Sequence, residues 1–186
     1  MRGLRRIVCA GAAVLATVVA SATVAAAAPK EVSTDKYAKT VCGAYTDIQD
    51  GLSEFTDAYN ALPGDDPTAF QAQAGELTNG LLDDLSALQT KLKKVYPDVD
   101  DGKKISRLFV KNLNEINSEV TTALETFQAA DANGVAFQAD ITTFEVAINL
   151  LDTKTSDPFS KVTDQDVIGA FDDEKSCDDV VTIIGG

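Results

Sequence analysis

The residues that could do chemistry here are unusual for what is missing among them. The chain has 186 residues and no histidine, which removes the commonest general base and the commonest metal ligand together. Ser-His-Asp, Cys-His and zinc-histidine arrangements are all excluded. Cys42 and Cys177 remain outside the N-terminal apolar segment, with Cys9 inside it. In an oxidising compartment Cys42 and Cys177 form the single possible intramolecular pair, and a paired cysteine supplies no thiolate nucleophile. No glycine-rich phosphate loop is present, and beyond residue 27 Arg107 is the one arginine, a poor anion clamp.

Carboxylates are what is left, 29 of them. A glycosidase needs two, one with its pKa raised by burial. Among so many acids, suitably spaced pairs arise by chance, and none stands alone on an apolar stripe. The reading is therefore no enzyme, no catalytic residues and no cofactor. Calcium is the sharper carboxylate hypothesis. Asp98, Asp100 and Asp101 precede Gly102, and Asp164 and Asp166 precede Gly169. Neither set reaches EF-hand spacing, because Gly102 comes one residue early and Ile168 occupies a ligand position. Both segments open helices, where acids are favourable without any metal. Capping is the expectation, with no metal site; a weak calcium site is its alternative.

Residues 1–27 have the three parts of a secretory signal. Arg2, Arg5 and Arg6 precede an uncharged run rich in Ala and Val, and Ala25 and Ala27 form an A-x-A cleavage site. The expectation is cleavage after Ala27, a single domain over 28–186 and a location outside the cytoplasm, secreted or in a bacterial cell envelope. An uncleaved anchor is the alternative, because the run is long enough to span a bilayer. Cleavage takes three arginines from a formal charge of −13, leaving −16. So acidic a surface repels nucleic acid and anionic lipid and favours a soluble monomer.

The elements that must position these residues are helical. Val41, Tyr45, Ile48, Leu52, Phe55, Tyr59 and Leu62 alternate in steps of four and three, one stripe on a helix over residues 35–62. Ser33, Thr34 and Asp35 are its candidate caps, and Pro63-Gly64 ends it. Asp66 and Pro67 open a second helix, whose stripe from Phe70 reaches Val95 before Pro97 stops it. A third runs over 102–130 on Ile105, Phe109, Leu113, Ile116, Val120, Leu124 and Phe127. Residues 131–134 turn into a shorter fourth, on Phe137, Ile141, Phe144, Ile148 and Leu151. No segment alternates with the period of a strand, and no repeat or low-complexity linker appears. Short connections predict antiparallel neighbours. The expected fold is all-α, an up-down-up-down four-helix bundle with a short C-terminal helical tail clasped by the Cys42–Cys177 disulfide. In that tail Thr163 to Asp166 reads as a capping box before Val167, Ile168, Ala170 and Phe171.

Tyr37, Tyr45 and Tyr59 invite a sugar- or peptide-binding reading, but aromatics at stripe positions pack into the core. Gly43 and Gly51 in the first helix, and Gly75 and Gly80 in the second, cost helix stability. They either let the two helices approach closely or leave room for an apolar ligand. An early-helix cysteine paired with one in an Ala-Phe…Cys tail, here Ala170-Phe171 and Cys177, resembles the small secreted, lipoprotein-like helical proteins of high-GC Gram-positive bacteria. That resemblance covers most of the mature chain and brings no active site with it. The expected function is a non-catalytic extracellular or cell-envelope interaction or structural protein, its partner an unidentified protein. The alternative is a carrier with an apolar ligand in the bundle core.

Overall fold

Ser33 and Asp66 start the first two long helices as their side chains predict. In the computed structural model, which describes residues 28–181, the Ser33 hydroxyl accepts from the Lys36 amide, and Asp66 accepts from the amides of Thr68 and Ala69. These caps open α1 (Thr34–Asn60) and α2 (Pro67–Leu92). Gly102–Ala129 forms α3 and Phe137–Thr155 the shorter α4. A 3₁₀ turn at Phe159–Lys161 leads to α5 (Gln165–Asp173), then a second 3₁₀ turn at Lys175–Cys177 and the single turn α6 (Asp178–Val181).

Consecutive helices run antiparallel, as the pairs at their two ends show. Asp47 meets Lys91 while Tyr59 meets Phe70 across α1 and α2. Between α2 and α3, Gln89 bonds Asn114 and Gln71 donates to the carbonyls of Phe127 and Ala130. That last contact supplies side-chain donors to carbonyls at the α3 C-terminus, where the helical ladder runs out; the Phe127 carbonyl also accepts from the Ala130 amide at 3.3 Å. Phe127 stacks on Phe137 and Glu119 pairs with Lys154 across α3 and α4. The apolar stripes meet in one continuous core. Its rings form two clusters: Tyr37, Tyr45, Phe109, Phe159 and Phe171 at the tail end, and Phe55, Tyr59, Phe70, Phe127, Phe137 and Phe144 at the other.

Three local expectations are corrected. The all-helical reading omitted a two-stranded parallel ribbon: β1 (Lys30–Val32) lies on β2 (Val95–Pro97), with Lys30 opposite Val95 and Val32 opposite Pro97. Three residues are too few to display an alternating pattern, and the strands are 65 positions apart in register. Consequently α2 ends at Leu92, and Val95 belongs to the ribbon rather than to the α2 stripe. In the tail the cap of α5 is Asp164, which accepts from the amides of Asp166 and Val167; the predicted box starting at Thr163 is displaced by one residue. A carboxylate one residue later reaches the same orphan amides, so it takes the role.

Candidate functional site

Cys42 sits on the buried face of α1 beside Val41 and Tyr45, and Cys177 ends the second 3₁₀ turn; both are buried, at 0% and 1% exposure. They are joined in a disulfide whose Cα atoms lie 4.9 Å apart, across 135 positions of sequence. The turn that carries Cys177 is fixed twice more. Glu174 accepts from the Ser176 amide at 3.2 Å and the Ser176 hydroxyl at 2.8 Å, bonds that hold its carboxyl below the usual range. Thr46 on α1 donates to the Ser176 carbonyl at 3.1 Å. With Phe171 and Phe159 packed against Phe109, this tail is a covering layer over α1 and α3.

The three tyrosines are core residues. The Tyr45 hydroxyl ends on Asn112, in the interior. Burial pushes its pKa well above the usual value, and burial does the same for Tyr37, partly offset by a side-chain hydrogen bond with Ser106. Tyr59 lies at the edge, 3.4 Å from Glu145 Oε1; burial first, and then the neighbouring carboxylate, raise its pKa.

The acids gather into no metal centre: among the described residues, no group of three or more Cys, Asp or Glu side chains is arranged to hold an ion. Asp164 caps α5, and Asp101 precedes α3 without a side-chain cap bond, pairing instead with Lys104 at 3.3 Å.

The four helix glycines behave differently from one another. Gly75 is in tight contact, but with Gln128 of α3 rather than with α1: a Cβ there would lie 2.7 Å from Gln128 Nε2. At Gly43, Gly51 and Gly80 a Cβ would meet nothing within 4 Å. Gly51 and Gly80 face a groove of about 560 Å³ between α1 and α2. Phe55, Ala58, Leu62, Leu77 and Leu81 also line it, together with the carboxylates of Glu54, Glu76 and Asp84. Beyond Gly51, the Lys91–Asp47 ion pair bridges the two helices at 3.6 Å. The sequence signal for this groove was the glycines themselves. Nothing in the sequence marked Asn112 or the Phe159 plug, because both depend on which helices meet.

No protein-family model, curated protein or solved structure matches the chain.

Proposed function

We propose that the protein is exported and acts outside the cytoplasm as a non-catalytic interaction protein, a monomeric bundle that offers its α1/α2 groove to a cationic partner segment. The observation that carries this reading is the composition of the groove. Two mid-helix glycines, each costing about 1 kcal/mol relative to alanine, open onto it without being needed for helix contact. Its apolar floor favours burial of a side chain, and Glu54, Glu76 and Asp84 around it favour a positive one. The buried disulfide fits an oxidising compartment. No helix among the described residues is long and apolar enough to cross a membrane. The resemblance to secreted Gram-positive helical proteins points the same way. Aromatic rings occupy the interior, which favours a surface partner over an apolar ligand carried in the core.

Calorimetric titration with a Lys/Leu amphipathic peptide tests this, beside a Glu/Leu peptide of equal length. Saturable binding of the basic peptide alone is expected, weakened by salt and lost in G51L/G80L, whose side chains fill the groove. Equal binding of both peptides, or unchanged binding by the filled variant, defeats the reading.

A further inference from the structure

Helix α4 carries more apolar surface than its place in the bundle uses. Its inward stripe, Phe137, Phe144, Ile148 and Leu151, is buried. On the opposite side Val146 and Leu150 are 54% and 50% exposed, one turn apart on the same face. A helix apolar on more than one face is ordinarily covered on more than one face. Beside Leu150 lies a second groove, between α3 and α4, of about 380 Å³. Ala123 and Phe127 line it from α3, and Phe144 and Ala147 from α4. Phe127 and Phe144 are stacked with their ring centroids 4.7 Å apart. From Asp140 to Leu150 it spans roughly 15 Å at the rise of an α-helix.

The threonines along this groove do not make it polar toward a ligand. Thr122, Thr126 and Thr143 donate to the carbonyls of Ser118, Thr122 and Ala139 on their own helices, at 2.8–2.9 Å. A threonine hydroxyl has one hydrogen, so none of the three has a donor left to offer. The charges at the two ends differ. Glu119 is neutralised by Lys154, whereas Asp140 has no ion-pair partner among the described residues. An apolar trough without free threonine donors, with one unpaired carboxylate at its end, is complementary to a hydrocarbon chain bearing a positive headgroup. An anionic headgroup meets a chain of net negative charge and only the already engaged Lys154.

We propose that the α3/α4 groove binds the alkyl chain of a cationic single-chain amphiphile, with the headgroup at Asp140. This inference is independent of the α1/α2 partner proposed above, since it uses other helices and other residues.

Three probes of equal chain length, used below their micelle concentrations, test it: dodecyltrimethylammonium, dodecyl maltoside and dodecanoate. Binding is followed by NMR of the alanine and leucine methyls, with far-UV circular dichroism confirming that the bundle stays folded. Dodecyltrimethylammonium is expected to bind saturably and to shift Ala123, Ala147 and Leu150. Its affinity should exceed that of dodecanoate by about threefold to tenfold. D140N should bring it down to the level of the maltoside, and A147F should abolish binding of both. L150E, at an exposed position, gives a second block to the chain if A147F fails to fold. Absence of saturable binding, equal affinity for dodecanoate, or shifts confined to the α1/α2 groove would each overturn the proposal. So would a doubled mass in solution that L150E returns to monomer, which would assign this face to a second copy of the chain.

Discussion

The Tyr45 hydroxyl donates to Asn112 Oδ1 at 2.9 Å, and the Asn112 amide donates in turn to the Lys154 carbonyl at 2.9 Å. One buried asparagine thereby joins α1, α3 and the end of α4. Removing the middle of such a chain breaks both bonds, whereas removing an end breaks one. The Lys154 carbonyl keeps the Asp157 amide at 3.3 Å, and the Tyr45 hydroxyl keeps the Phe109 carbonyl at 3.5 Å. N112A should therefore destabilise by about 2–3 kcal/mol and Y45F by about 1 kcal/mol, read from urea midpoints at unchanged slope. The double variant should cost less than the sum, because the two share one bond. Strict additivity would mean that the bond contributes nothing.

Alkali should unfold this protein in step with its buried tyrosines. Burial raises the pKa values of Tyr37, Tyr45 and Tyr59 above their ordinary value. The neutral phenol is thus favoured in the fold, and the unfolded chain loses these protons first. Stability is fully present below the unfolded value of about 10 and falls as pH rises beyond it toward the folded values. Tyr96 differs: it is only half-buried, and a hydrogen bond with Glu31 raises its pKa. Phenolate absorbance should show one residue titrating reversibly while helicity is intact, and three appearing only as helicity is lost. Four phenolates formed with the circular dichroism unchanged would contradict the burial.

The long helices were legible because their signals are local. The α1 stripe from Val41 to Tyr59 and the Asp66-Pro67 start of α2 depend on neighbours within one turn. The Cys42–Cys177 pair was legible for another reason, that no other partner was left. The β1/β2 ribbon depends on amides and carbonyls brought together from distant parts of the chain, such as Lys30 N on Lys94 O and Asp98 N on Val32 O. A three-residue strand displays no pattern of its own. The glycines were legible as an anomaly but not as a site: whether Gly51 faces a groove, a helix or water is settled by where α2 lies. Asn112 reads as an ordinary polar residue until α4 delivers the Lys154 carbonyl to it.

The disulfide should be protected while the protein is folded and decisive once it unfolds. Both sulfurs belong to buried residues, so dithiothreitol without denaturant should leave two unreactive cysteines, and with denaturant should release both. A loop of 135 residues corresponds to about 5 kcal/mol of unfolded-state entropy, an upper figure for a real protein. C42A/C177A should lower stability by about 2–5 kcal/mol, and the tail should loosen first, since Phe159 and Phe171 keep only their packing. Hydrogen exchange of α5 measured against α2 checks the order. Equal acceleration in the two helices would show that the clasp acts on the whole bundle rather than on the tail.

Glycine-to-alanine substitutions should divide by geometry rather than by residue type. At Gly51 and Gly80 the added methyl meets nothing within 4 Å, so each substitution gains helix propensity and should stabilise by about 0.5–1 kcal/mol. At Gly75 the nearest atom is the far end of the exposed Gln128 side chain, at 2.7 Å. That amide can swing aside, and the two effects should nearly cancel. Gly102 is the opposite case. Where the chain leaves β2 and enters α3, a Cβ would fall 2.0 Å from the Pro97 carbonyl oxygen, a backbone atom fixed by the ribbon. Room for it requires moving β2 or the first turn of α3, at a cost of about 1–3 kcal/mol or more. Thermal melts of the four single variants should therefore rank G51A and G80A above the parent, G75A close to it and G102A well below. A stabilised G102A would mean that the ribbon is not held against the start of α3, and a destabilised G51A would mean that the groove is closed in solution.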